Sequence, residues 1–137
     1  MSSRDSSIKE RRPKPADVSL DGRRILVVED SPVVAPFTAD VLSDLGCTVI
    51  GPAPNMAAAR QLLEEESFDA AIMDVHIRGE RVFPLLEMLE AQGVPFVISS
   101  GYADWAMPDK WLDRPRLQKP YTIDQVETVL KGLFVPG

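Results

Sequence analysis

The sequence predicts an α/β domain, a parallel β-sheet covered by helices on both faces. Two observations predict it. From Arg23 onward, short apolar runs alternate with longer segments of helical period. The short runs are apolar at consecutive positions, not at every second one, as strands buried on both faces are.

Each element carries its own signal. "RILVV" is a continuous apolar run and predicts the first strand. "SPVVAPFTADVLSDLG" predicts a helix with Ser31 as N-cap and Pro32 at the first helical position. Val33, Val34, Phe37, Val41, Leu42 and Leu45 form its apolar stripe, Gly46 ends it, and Pro36 falls where a missing N–H costs little. "CTVIG" predicts a second strand, and "NMAAARQLLEEES" a helix capped by Asn55 with an acidic outer face. "FDAAIMD" is a third apolar strand that ends at Asp74. "PLLEMLEAQG" reads as a helix between Pro84 and Gly93, and "PFVISSG" as a fourth strand. "RLQKP" is a brief fifth strand. "TIDQVETVLKGLF" is a last helix with capping-box spacing at Thr122 and Gln125 and a stripe of Ile123, Val126, Val129, Leu130 and Leu133. The segment "YADWAMPDKWLDRP" stands where a fourth helix belongs, but Pro108 and Pro115 leave it short or irregular.

Length and composition narrow the function. The 137 residues suffice for one domain, expected over 21–137 behind a flexible, Ser-, Pro- and charge-rich tail over 1–20. The net charge of −6 is uneven, because the tail holds five basic and three acidic residues and the remainder 10 basic against 18 acidic. Such an acidic domain is unsuited to nucleic acid, whose phosphates call for lysine and arginine. No apolar run approaches the roughly 20 residues that span a bilayer. The lone Cys47 excludes an internal disulfide and reads as a small buried hydrophobe rather than a redox sensor. The expected setting is the cytoplasm.

The chemistry gathers at strand ends. In open α/β sheets, ligands bind beyond the carboxyl ends of the strands. The first strand ends in Glu29-Asp30, the third in Asp74, the fourth in Ser99-Ser100 and the fifth in Lys119. If those strands lie side by side in that order, three carboxylates, a hydroxyl and an ammonium line one crevice. The excess of about two negative charges suits a hard divalent cation with oxygen ligands, Mg2+ where phosphate is also present. Glu29-Asp30 alone could be a solvated, helix-capping turn. The company of Asp74, Ser100 and Lys119 favours a site.

"VVEDSP", "AAIMDVHIRGE", "PFVISSGYAD" and "LQKPYT", in order from Arg23 to the C-terminus, resemble the receiver domain of two-component response regulators. "VISSGYAD" with "GERVFPLLEMLEAQGVPFV" is most similar to the single-domain receivers of alphaproteobacteria. The resemblance implies a doubly wound, flavodoxin-like five-stranded sheet of order 2-1-3-4-5. It also implies that Asp74 is a phosphoacceptor, a carboxylate nucleophile forming an aspartyl phosphate. Asp30 would ligate Mg2+ directly, Glu29 mainly through water, and the backbone carbonyl of His76 would complete the metal site beside Asp74. Lys119 would pair with the phosphoryl group, and Ser100 would donate its hydroxyl to it and draw the following loop inward. Ser99 competes with Ser100 for that role, though strand alternation and the following "GY" favour Ser100.

The partners so implied are a histidine kinase or phosphotransfer protein, and a downstream protein on the face over 101–133. The chain is then a monomer or weak dimer and no enzyme beyond assisting its own phosphorylation and dephosphorylation. With only Val135–Gly137 after the last helix, a stand-alone receiver or phosphate sink is expected. Arg116 departs from the pattern, since the family's switch aromatic stands three residues before the lysine. Switching is therefore expected to reshape 101–115. His76 and Tyr102 border the path of an attacking water, with His76 expected to face solvent. Trp105, Met107, Trp111 and Leu112 read as core filling for a short helix, with an exposed partner patch as the alternative. Three competing readings are an aspartate-nucleophile phosphatase, a mononucleotide-binding module and a never-phosphorylated scaffold. The first lacks an aspartate two residues after Asp74, where His76 stands. The second is opposed by the acidic "EDSPVV" turn, which would repel phosphate. Arg116 is what favours the third.

Overall fold

In a computed structural model, residues 18–101 and 107–136 are described. In chain order the elements are β1 (Arg24–Val28), α1 (Val34–Asp44), β2 (Thr48–Ala53), α2 (Met56–Glu65), β3 (Ala70–Asp74), β4 (His76–Ile77), β5 (Glu80–Arg81), α3 (Phe83–Ala91), β6 (Phe96–Ser100), β7 (Arg116–Gln118) and α4 (Ile123–Leu133). Five strands form one parallel sheet in the order β2-β1-β3-β6-β7. With the small β4–β5 hairpin set aside, that is the predicted 2-1-3-4-5.

The consecutive apolar runs of β1, β3 and β6 are explained by the two faces they serve. Leu26, Val28, Ala71, Met73, Phe96 and Ile98 face one layer with Ala59 and Leu63 of α2 and Leu85, Leu86 and Leu89 of α3. Their neighbours Ile25, Val27, Ala70, Ile72 and Val97 face the other, with Val41 and Leu42 of α1 and Val126 and Leu130 of α4. The period of 2 thus feeds two cores at once, so no polar residue can interrupt the strands before their ends.

Capping follows the sequence closely. Asn55 Oδ1 accepts the Ala58 N–H at 2.8 Å. At α4 both capping-box bonds form, Gln125 N–H to Thr122 Oγ1 at 3.2 Å and Thr122 N–H to Gln125 Oε1 at 2.8 Å. The α1 start differs from expectation. Ser31 Oγ does accept N–H bonds, from Val33 and Val34 at 3.2 and 3.1 Å, but the helix begins at Val34, not Pro32. The Ala35 N–H does bond the Ser31 carbonyl at 3.0 Å, but Pro36 has no N–H to give to the Pro32 carbonyl, so the ladder is interrupted after its first bond. Leu20, placed in the tail by the sequence reading, is buried in the core; residues 1–17 lie outside the described residues.

The predicted stripes are also wider than the sheet covers. Val33, Phe37 and Ile123 are 75%, 40% and 46% exposed. The hairpin β4–β5 was not predicted, although "IRGE" carries its signal: Arg78 and Gly79 both have positive φ (53° and 80°), as a two-residue mirror-image turn requires. The fourth helix is reduced, among the described residues, to a 3-10 turn at Asp109–Trp111. There the core reading holds for Met107 and Trp111, which are buried, while Leu112 is exposed. Trp111 meets Phe96 edge-on at 5.8 Å, and the Arg114 guanidinium lies over both rings. Lys110 bonds Glu87 at 2.8 Å and Glu90 at 3.3 Å, and Arg114 pairs with Glu90, which ties the turn to α3. Tyr102 and Trp105 lie outside the described residues. Cys47 is buried, as expected. No helix among the described residues is long and apolar enough to cross a membrane.

Trp111 anchors the described part of this segment in the core. Trp111→Ala is expected to lower stability by about 3–5 kcal/mol, and Leu112→Ala by no more than about 0.5 kcal/mol, in urea unfolding.

Candidate functional site

Parallel pairing brings the strand ends to one rim. Val28 is level with Met73, Asp74 with Ser99, and Ser100 with Gln118. The residues just past those positions therefore share one crevice. Beyond β7, the Lys119 N–H donates to the Ser100 carbonyl at 2.8 Å, which carries the lysine back over the end of β6. A cis peptide joins Lys119 to Pro120.

The carboxylates converge as the sequence predicts. One oxygen from each of Glu29, Asp30 and Asp74 lies within 4.8 Å of the others. Lys119 Nζ reaches Glu29 Oε1 and Asp74 Oδ2, both at 2.8 Å. Glu29 is buried, and its Oε2 accepts the Ser31 N–H at 3.0 Å. Half-buried Asp30 accepts the Arg78 N–H at 2.8 Å, so the β4–β5 turn holds it. Asp74 is 4% exposed and its Oδ1 accepts a long bond, 3.4 Å, from the His76 N–H.

One lysine does not balance this set. Burial pushes the Asp74 carboxyl up to about 7; Lys119 pulls it down, and Glu29 adds to the rise. Burial acts to lower the Lys119 ammonium, but its bonds to Asp74 and Glu29 outweigh this and hold it above its ordinary value. Oxygen ligands on an octahedral Mg2+ stand about 3–4 Å apart. The three carboxylate oxygens, all within 4.8 Å of one another, are close enough to share one such ion. The residues present therefore fit a hard divalent ion, with Asp30 the most exposed of the three carboxylates and Glu29 and Asp74 both buried and both bonded to Lys119.

The structure brings together Glu29, Asp30, Asp74 and Lys119, and sets Ser100 at the end of the adjoining strand. His76, expected to face solvent, is half-buried at the start of the β4–β5 hairpin. Of the two serines, Ser99 is sealed in the α1/α4 layer with its Oγ unpartnered, which leaves Ser100 as the hydroxyl on the opposite side of the strand. Arg116 is exposed at the start of β7, its guanidinium 3.4 Å from Met107 Sδ. The sequence reading missed the Arg78 N–H on Asp30 and a buried pair, Thr38 and Tyr121, whose hydroxyls are 2.6 Å apart. "RG" before Glu80 could have signalled the first; nothing local marks Thr38.

The sequence pattern of the response regulator receiver domain matches residues 25–131. The solution structure of SdrG from Sphingomonas melonis is similar at 39% identity and a TM-score of 0.76, covering 86% of this chain and 100% of that one. The BeF3-activated conformation of SdrG from Pseudomonas melonis is similar at 40% identity and a TM-score of 0.71, covering 82% and 96%. A protein-glutamate methylesterase/protein-glutamine glutaminase of Nitrosospira multiformis is 39% identical over 84 residues, which are 58% of this chain and 23% of that protein. The chain thus spans less than a quarter of the length of the curated relatives it matches.

The raised Asp74 carboxyl sets a pH dependence. Folded, the group keeps its proton to about 7; unfolded, it loses it near 3.8. Between those values the folded state binds more protons, so stability is lost as pH rises through that window. In metal-free buffer the melting temperature of the wild type is expected to fall relative to Asp74→Asn between pH 4 and 7. Parallel curves would show that Asp74 is not raised.

Proposed function

The chain belongs to the response regulator receiver domains, and we propose that it is a Mg2+-dependent phosphoacceptor that receives a phosphoryl group on Asp74 from a histidine kinase or phosphotransfer protein. The observation that carries this reading is the placement of Asp74, a buried carboxylate at a strand end between a lysine and two further carboxylates. In the step, an Asp74 carboxylate oxygen attacks phosphorus, the bond from phosphorus to the donor's imidazole nitrogen breaks, and the electron pair stays on that nitrogen. The product is an acyl phosphate on Asp74 and an imidazole on the donor, neutral because the phosphohistidine reacts with its other ring nitrogen protonated.

Asp30, Asp74 and the His76 carbonyl, with Glu29 through water, would hold a divalent ion, which would supply positive charge that favours an ionised Asp74 and offsets the phosphoryl oxygens. Lys119 then exchanges its bond to Asp74 for one to a phosphoryl oxygen. Ser100 donates to another and draws in the loop that follows. With Arg116 where an aromatic would turn, the change is expected to spread through the 101–115 segment, loosening the bonds of Lys110 and Arg114 to α3. A downstream protein reads this face, which runs from 101 to 133, or the domain serves as a phosphate sink. The exposed Val33, Phe37 and Ile123 beside the site give the phosphodonor protein an apolar footing. The domain is not an enzyme acting on a separate substrate, and its setting is cytoplasmic signalling. A phosphatase reading is disfavoured by His76, which stands where that chemistry needs an aspartate acid.

Incubation with a small phosphodonor and Mg2+ should add the mass of one phosphoryl group in intact-mass spectrometry, and Asp74→Asn should abolish the gain. Consumption of the donor with no adduct would instead favour a hydrolase. After phosphorylation, amide shifts should move across 107–115; fixed shifts there would overturn the proposed route of switching.

A further inference from the structure

Beneath the site, on the α1/α4 side of the sheet, two hydroxyls meet in the core. Thr38 is fully buried, and its Oγ1 donates to the Val34 carbonyl at 2.9 Å. That uses its only hydrogen, so in the 2.6 Å contact with Tyr121 the phenol donates and Thr38 accepts. The Tyr121 oxygen retains lone pairs. Ser99 Oγ is buried and without a hydrogen bond. The chain of donors therefore runs from Tyr121 to Thr38 and ends on the backbone of α1.

This network bears on Lys119. The ammonium stands at the end of a long flexible stem, so its position depends on how the backbone beneath is held. On one side the Lys119 N–H is fixed to the Ser100 carbonyl at 2.8 Å. On the other, Pro120 has no N–H to offer. Tyr121 is the first residue past the lysine able to anchor the loop. Its ring is buried against Phe37, 6.1 Å between centroids, and its hydroxyl is secured to α1. Packing alone would be satisfied by phenylalanine; a buried phenol that meets a fully buried threonine adds a directional restraint.

We propose that Tyr121, through its hydrogen bond to Thr38, is a positioning residue that fixes Lys119 against the phosphoacceptor carboxylate. This rests on the phosphoacceptor reading of Asp74.

The test uses Tyr121→Phe, Thr38→Val, Thr38→Ser and the Tyr121→Phe/Thr38→Val double variant, each checked for folding by its amide spectrum. Two quantities are read: the rate of phosphoryl gain from a small phosphodonor, and the 13C relaxation order of the Lys119 Cε methylene. Tyr121→Phe and Thr38→Val are expected to slow phosphorylation by about tenfold and to loosen the methylene. The double variant should be no slower than either single one. Thr38→Ser, which keeps the hydroxyl, should retain both values. Wild-type rates and order in Tyr121→Phe and Thr38→Val would overturn the assignment, as would Thr38→Ser behaving like Thr38→Val, since packing would then explain the effect. If the wild type gains no phosphoryl group, the phosphoacceptor reading fails on its own, while the Lys119 order still decides whether the hydroxyl pair holds the lysine.

Discussion

The site depends on a charge imbalance that the protein does not correct by itself. Glu29, Asp30 and Asp74 bring three carboxylates within a few ångströms, and Lys119 supplies one positive charge shared between two of them. Burial raises the cost of ionising Asp74, so without further positive charge the nucleophile is partly protonated near neutral pH. The same strain on the charged form makes the crevice receptive to a divalent cation and, with it, to a phosphoryl group.

The fold makes that arrangement affordable. β1, β3 and β6 are buried on both faces, so their polar residues are confined to the ends, and parallel pairing sets those ends side by side. Backbone groups then hold the carboxylates: the Ser31 N–H on Glu29 and the Arg78 N–H on Asp30. The second of these requires the left-handed Arg78-Gly79 turn. At the far edge, the 107–115 segment relies on one buried indole and three ion pairs with α3 rather than on a full helix. Exposed pairs of that kind contribute little each, which suits a segment that must change shape.

Much of this was legible in the sequence because it follows from burial and period. Consecutive apolar runs identified the parallel sheet, and acidic residues at their ends identified the crevice. Asn55 and the Thr122/Gln125 box placed two helix starts through local hydrogen bonds. Where the reading went astray, a non-local or competing effect was responsible. Val33, Phe37 and Ile123 have helical spacing, but spacing cannot say how far the sheet extends beneath a helix. Pro36 delayed the start of α1. Thr38 and Tyr121 lie 83 residues apart and meet only when the loop between β7 and α4 comes back to α1.

The central claim is that Asp74 is raised by burial and needs a divalent cation to ionise. Titrating the Asp74 side-chain carboxyl by 13C NMR, with and without Mg2+, tests it directly. The account predicts a midpoint near 7 without metal, moving well into the acid range when Mg2+ is added. A midpoint at the ordinary carboxylate value in metal-free buffer, unmoved by Mg2+, would contradict it.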